Sequence, residues 1–258
     1  MKFKFLCFKK SMYKNNIILC VIPARGGSKG LPGKNVREIM GKPLISYSIE
    51  QANESRYIDR IIVSTDDKEI SEIAKQSGGE ILFRRPDELA SDESGIIDVL
   101  LHAIEWMEKK EEYSFDILVL LHVTTPLRCV EDIDNSIEML VNKKADNVFS
   151  VTEAHKNPYF NMIEINKDGA AKLVKKGNFV TRQAAPLVYD MNASVYVWWK
   201  NKLKEKKSHF MGKSYGYIMP KERSIDIDDY FDFMIAELFL KKTVSIGNKT
   251  GDINAKKE

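Results

Sequence analysis

Two hydrophobic rhythms alternate along the first half of the chain. Ile17 to Ile22, Ile61 to Val63, Ile81 to Phe83 and Ile117 to Leu121 are short continuous apolar runs, the pattern of strands covered on both faces. Between them, apolar residues recur three and four apart: Leu44, Ile45 and Ile49 within Pro43 to Asn53, then Ile70, Ile73 and Ala74. Val99, Leu100, Ala103, Ile104 and Met107 repeat the pattern within Ile96 to Met107, as do Ile133, Ile137, Leu140 and Val141. Each set predicts a helix with one face on a sheet, and Thr65 or Asp66 is placed to cap the second.

Four strand–helix alternations imply βαβ units with right-handed crossovers. The expected fold is α/β, a three-layer sandwich around a mostly parallel sheet, with ligands at the carboxyl ends of the strands. The segments that follow strands should therefore meet along one edge: the loop after Ile22, Ser64 to Asp67, and His122 to Arg128.

From Asn147 the texture changes. Val148 to Thr152 reads as a strand, but Met162 to Ile165, a turn at Lys167 to Gly169 and the basic stretch Lys172 to Lys176 read as a hairpin with little core. Ser194 to Trp199 and Tyr215 to Met219 return to strand patterns, around a solvated Lys200 to Lys207, and Tyr230 to Leu240 reads as a last helix. The domain is thus expected over residues 17–245, with residues 153–192 as an excursion from it. Residues 1–16 are expected to be a disordered extension, Met12 being placed to start a chain that runs directly into the first strand, and residues 246–258 a loose polar tail.

Composition narrows the class. Of 258 residues, 43% are hydrophobic, enough for a packed core. Forty basic against 37 acidic residues leave a net charge of +3, so no general nucleic-acid or membrane surface is expected and anion binding must be local. Cys7, Cys20 and Cys129 have no CxxC spacing and an odd count, which points away from a disulfide framework or zinc site and towards a reducing, cytoplasmic compartment. No apolar run approaches the roughly 18 residues needed to span a bilayer.

The chemistry concentrates in Ala24-Arg-Gly-Gly-Ser-Lys-Gly-Leu-Pro-Gly-Lys-Asn35, directly after the first strand. Four glycines let backbone N–H groups approach an anion, while Arg25, Lys29 and Lys34 supply charge. The loop is not Walker A, because Ser28 stands where a glycine must precede Gly33-Lys34 and Asn35 stands where Ser or Thr must follow. Nor is it GxGxxG, since no two of its glycines are two apart. A second constellation is Arg223-Ser-Ile-Asp-Ile-Asp228. On an extended segment Asp226 and Asp228 point the same way, suiting a hard cation held together with substrate phosphates; the alternative is that they cap the helix at Tyr230.

The A-R-G-G-S-K-G-L-P-G-K-N loop resembles the signature of the acylneuraminate cytidylyltransferases, and S-I-D-I-D resembles that family's metal-binding motif. The likeness runs from about Ile18 to Leu240. It implies a nucleotide-diphospho-sugar transferase-like fold, a nucleotide site at Ala24, Arg25, Gly26, Gly27, Ser28, Lys29, Lys34 and Asn35, Mg²⁺ on Asp226 and Asp228, and catalytic roles for Arg25, Lys34 and Asp228. Leu120 to Arg128 resembles a sugar-pocket stretch, which implies sugar contacts from His122, Thr124, Thr125 and Arg128, although His122 stands where glutamine is usual and Val123 where proline is usual. For Arg128 a salt bridge that holds the loop is the alternative.

Thr181-Arg-Gln and Asn192-Ala-Ser resemble further sugar-site segments. They imply roles for Arg182, reaching a neighbouring subunit, and for Gln183 and Asn192; Ala193 replaces a glycine, and Asp190 falls where an arginine is often found. Arg85-Pro-x-x-Leu-Ala-Ser-Asp92 is also present in the family's form. The resemblance implies transfer of CMP from CTP to an acidic nine-carbon 2-keto sugar, with pyrophosphate released and residues 153–192 as the dimerisation arm of a homodimer. A CMP-Kdo synthetase and a non-catalytic nucleotide-binding regulator are the alternatives.

Overall fold

The computed structural model describes residues 13–254, with side-chain surroundings as far as Lys242. The expected central sheet is present. β1 (Ile18–Pro23) leads through two short strands, β2 (Glu38–Ile39) and β3 (Lys42–Pro43), into α1 (Leu44–Glu54). β4 (Arg60–Ser64), α2 (Lys68–Gln76), α3 (Ile96–Lys109), β5 (Ile117–Leu121), α4 (Val130–Asn142) and β6 (Asn147–Glu153) follow. After a hairpin of β7 (Ile163–Ile165) and β8 (Ala171–Leu173) come β9 (Tyr189–Trp199), α5 (Lys200–Lys206), β10 (Ser214–Ile218) and α6 (Tyr230–Asn254).

Six strands form the main sheet in the order β10-β6-β9-β5-β1-β4. All neighbours run parallel except β9, which is antiparallel to both β5 and β6. Alternate residues of each strand feed two cores. Ile18, Cys20, Ile22, Val119 and Leu121 join α1, α4 and the start of α6 on one face, while Leu19, Val21, Leu118 and Leu120 join α3 on the other. That period of two explains the continuous apolar runs, because both faces are covered.

The structure departs from expectation at several points. Ile81 to Phe83 is not a strand: only Glu80 bridges to Ile62, and the chain then leaves the sheet edge so that Arg85 N–H donates to the Thr65 carbonyl at 2.8 Å. The cap of α2 is Asp67, whose side chain accepts from Ile70 N–H at 2.9 Å, not Thr65 or Asp66. The excursion ends earlier than residue 192, because β9 already pairs with β6 from Tyr189. Within the expected extension Tyr13 bridges to Asn16 and its ring packs tilted against Tyr57, the centroids 4.4 Å apart; residues 1–12, Met12 among them, lie outside the described residues. α6 runs on to Asn254, through most of the expected polar tail, and residues 255–258 lie outside the described residues.

Candidate active site

The loop after β1 is shaped by contacts at both ends. Ala24, buried at 2% exposure, extends the sheet ladder by donating to the Ser64 carbonyl at 2.9 Å. Gly26 N–H donates to Asp66 Oδ1 at 3.1 Å, so the acid expected to cap α2 is spent on the loop instead. Buried Asn35 closes the far end: its Nδ2 donates to the Arg25 carbonyl at 2.9 Å and its own carbonyl accepts from Ile45 N–H at 3.0 Å. Asn35 therefore shapes the loop, and its side-chain amide is already engaged.

The loop edges a cavity of about 570 Å³ at the carboxyl ends of β1 and β5. Arg25, Ser28, Lys29, Gly30 and Lys34 line it together with His122, Val123 and Thr124 after β5, and Asp228. Sequence segments more than 100 residues apart thus meet where the alternation of strands and helices placed them. Lys34 reaches across the cavity floor, its ammonium donating to the Ile227 carbonyl at 2.7 Å and lying 3.5 Å from Asp228 Oδ1.

Two cavity groups carried no role from sequence alone. Arg85 is 4% exposed and lines the cavity, with Nε donating to Ser64 Oγ at 3.1 Å and Nη2 to the Ser64 carbonyl. Burial lowers its pKa to about 10, Asp66 acting in the opposite sense, and its recorded acceptors are uncharged. Asp92 takes ion pairs from Arg25 at 2.6 Å and Lys29 at 2.5 Å. The Arg85-to-Asp92 string was the signal for both.

Asp226 and Asp228 differ in exposure. Ile227 between them is fully buried, Asp228 is exposed beside Lys34, and Asp226 is half-buried near the Thr124 side chain. Burial raises the Asp226 carboxyl above the usual range and Asp228 adds to the rise, while Thr124 and Lys34 oppose it. Its Oδ1 is buried without a hydrogen-bond partner. An orphaned carboxylate oxygen next to a second carboxylate is a donor set that fits a hard divalent cation. Among the described residues no group of three or more His, Cys, Asp or Glu is placed to hold a metal ion. The capping alternative falls to Asp229 and Asp232: Asp229 Oδ1 accepts from Phe231 N–H at 2.8 Å.

The remaining predicted sugar contacts divide. His122 is half-buried on the cavity wall, and burial lowers its pKa to about 4, with Arg128, His209 and Lys34 adding to the fall, so the imidazole is neutral. Thr125 and Arg128 point into the protein. Arg128 is 2% exposed and donates to Thr125 Oγ1 at 2.9 Å, to the Ser194 carbonyl at 3.2 Å and to Ser48 Oγ. It holds the loop as an alternative reading allowed, but through neutral acceptors and not by a salt bridge.

Asn192 is also buried and engaged, accepting from Ser150 Oγ at 2.6 Å and donating to Ser224 Oγ at 2.8 Å. Arg182 and Gln183 lie on an exposed turn that does not line the cavity, and Arg182 donates to the Ala154 carbonyl at 3.2 Å.

A doubly covered, mostly parallel sheet with a basic glycine-rich loop and a paired carboxylate segment at its carboxyl edge defines a nucleotide-binding α/β protein. A family model described as Cytidylyltransferase matches residues 19–238. The chain belongs to that family, and so to the nucleotidyltransferases. It is 42% identical over 226 residues to a protein of Campylobacter coli named post-translational flagellin modification protein B, covering 87% of this chain and 95% of that one. It is 40% identical over 224 residues to the CMP-N,N'-diacetyllegionaminic acid synthase of Campylobacter jejuni, covering 86% and 94%. Among solved structures, CMP:2-keto-3-deoxy-manno-octonic acid synthetase complexed with CTP superposes with a TM-score of 0.67 at 15% identity, over 88% of this chain and 99% of that one. At that identity the likeness speaks for the fold.

Proposed function

We propose that this chain transfers CMP from CTP to the anomeric hydroxyl of a nine-carbon 2-keto acid sugar of legionaminic type. The sugar hydroxyl oxygen bonds to the α-phosphorus, the bond from that phosphorus to the α–β bridging oxygen breaks, pyrophosphate leaves and the hydroxyl proton is released. The observation that carries the reading is the convergence of Arg25, Lys29, Lys34 and Arg85 with the His122–Thr124 wall and the Asp226–Asp228 segment around one cavity. Phosphoryl transfer depends mainly on positioning and charge neutralisation, which that set of cations supplies.

In this reading Arg25, Lys29 and Arg85 hold the triphosphate and offset charge on the leaving pyrophosphate. Lys34, fixed by the Ile227 carbonyl, stands between phosphate and acid. Asp226 and Asp228 would hold Mg²⁺, which supplies Lewis-acid stabilisation of phosphate charge. Neutral His122 and Thr124 offer hydrogen bonds to the sugar's polar groups. The 40% identity to a legionaminic acid cytidylyltransferase, with His122, Val123 and Ala193 away from the sialic-acid pattern, supports this sugar class over sialic acid itself.

We further propose a homodimer joined through the arm. Ile163, Ile165, Val180 and Leu187 are 55%, 67%, 91% and 72% exposed, an apolar display that calls for a partner. Arg182 on the same arm would then face the partner's sugar site. The free thiols of Cys20 and Cys129 support a reducing, cytoplasmic setting. Among the described residues, no helix is long and apolar enough to cross a membrane.

The test is pyrophosphate release with CTP and Mg²⁺ against legionaminic, N-acetylneuraminic, pseudaminic and Kdo acids, with ATP, GTP and UTP as controls. Release with CTP and a legionaminic acid is expected. Release with Kdo alone would move the protein to eight-carbon sugars, and silence throughout with CTP bound would make it a regulator.

A further inference from the structure

Asp92 occupies the charge that a polyphosphate would need. It sits in the segment between Arg85 and α3, several of whose residues line the cavity: Leu89, Ser91, Asp92 and Ser94. Its carboxylate pairs with Arg25 through one oxygen and Lys29 through the other, at 2.6 and 2.5 Å, so a single acid neutralises two of the three cations of the glycine-rich loop. Arg25 also donates to the Ser91 carbonyl at 2.9 Å, which ties that cation to the same segment twice. The segment is itself pinned, with the Ser91 and Ser94 hydroxyls 2.8 Å apart and Ser94 Oγ donating to the Glu88 carbonyl at 2.5 Å. The Lys29 hydrogen bond, opposed by a little burial and helped by Arg25, holds the Asp92 carboxyl below the usual range.

Two anions cannot both take these donors at full strength. We infer that Asp92 sets polyphosphate affinity by competing with phosphate oxygens for Arg25 and Lys29, so that pyrophosphate held chiefly by charge is released readily. The inference rests on the proposed function for its pyrophosphate. Its size follows from exposure: the side chains of Arg25, Lys29 and Asp92 are 32%, 81% and 41% exposed. Ion pairs this open each shift an equilibrium by a factor of about one to five. The pairs are therefore weak enough for a multiply charged ligand to displace, and they reduce its affinity by the fraction of time the cations are occupied. Arg85 and Lys34, which do not pair with Asp92, keep the remaining attraction for the ligand.

The experiment is calorimetric binding of inorganic pyrophosphate to the full chain and to Asp92→Asn, with a melting curve to establish that the exposed substitution leaves the fold intact. Asp92→Asn should bind pyrophosphate about three- to tenfold more tightly at low salt. The gain should shrink at about 0.5 M NaCl, where screening shortens the reach of charge, and vanish when Asp92→Asn is made in an Arg25→Gln/Lys29→Gln background and compared with that background. Unchanged or weaker binding by Asp92→Asn overturns the inference and makes Asp92 a residue that positions the two cations for the ligand. Absence of pyrophosphate binding by either protein also overturns it. A tightened Asp92→Asn in a protein that turns over no sugar would sustain the inference while removing the proposed reaction.

Discussion

A Cβ built on Gly30 would stand 2.3 Å from the carbonyl oxygen of Asp228. The glycine-rich loop and the acidic segment, nearly two hundred residues apart in sequence, thus pack backbone to backbone, and only a residue without a side chain permits it. Gly30→Ala must push the two segments apart, because the obstructing atom is main chain and cannot rotate away. Lys34 would lose its grip on the Ile227 carbonyl at the same joint. Activity is expected to fall at least tenfold with little change in the melting temperature, since both segments lie at the edge of the sheet. Near-normal turnover in Gly30→Ala would show that this contact is dispensable.

The acidic segment is anchored from behind by Arg223, which makes a two-point bond to fully buried Asp132 at 2.9 and 2.8 Å. Burial would raise the Asp132 carboxyl, but Arg223, Cys129 N–H and Cys129 Sγ together hold it below the usual range. Arg223→Ala leaves that carboxylate buried with Tyr217 and Cys129 as its remaining donors. Removing one partner of a buried pair costs about 3–5 kcal/mol, and the lower end applies because Arg223 is itself 36% exposed. Urea unfolding at pH 7 measures the loss. A depressed carboxylate stabilises above its unfolded pKa and loses that contribution as pH falls, so the difference between the proteins should narrow towards pH 3.

His122 also loses stability as pH falls, but by favouring the uncharged form where Asp132 favours the charged one. Its pKa of about 4 in the folded chain lies below the unfolded value near 6.5, so folding favours the neutral ring. That preference costs nothing above pH 6.5, and stability is lost as the unfolded chain gains a proton while pH falls towards 4. Between pH 7 and 5 the wild type should lose about 2 kcal/mol more than His122→Gln, in which nothing titrates at this position. Asp226 titrates in both proteins and drops out of the comparison. Equal pH slopes would mean that the ring reaches solvent freely.

The sequence made the scaffold legible where burial on two faces leaves continuous apolar runs, as in β1 and β5, and where helices repeat on one face. It misread Ile81 to Phe83, because an apolar triplet does not reveal that the next residue but one, Arg85, is drawn under the end of β4. The cavity's cations and the neighbouring carboxylates were legible from glycine and charge spacing in Ala24 to Asn35 and in the Asp226 and Asp228 repeat. The inward turn of Thr125, Arg128 and Asn192 was not. Polar residues after a strand read alike whether they face a ligand or brace a loop, and only the partners Ser48, Ser150 and Ser194 decide between the two.

Ala193 carries the last prediction. The register between β6 and β9 slips between Phe149 and Val151, and residues 192–195 of β9 bulge around the single residue Ser150. Ser150 Oγ ties the bulge together, donating to Asn192 Oδ1 at 2.6 Å and accepting from Val195 N–H at 2.9 Å. The turn this needs puts Ala193 at φ +45°, the left-handed region, at the position where the resemblance calls for glycine. An L side chain there costs about 1–2 kcal/mol, and glycine would return about 0.5–1 kcal/mol of that through its greater freedom in the unfolded chain. Ala193→Gly should therefore stabilise by about 0.5–1 kcal/mol, a rise of roughly 1–4 °C in Tm for a domain of this size. The substitution keeps the Ala193 carbonyl that accepts from Thr125 Oγ1 at 3.3 Å, so the loop carrying His122 and Thr124 stays in place. Calorimetry decides: a Tm that stays level or falls would mean that the bulge holds its shape without strain at Ala193.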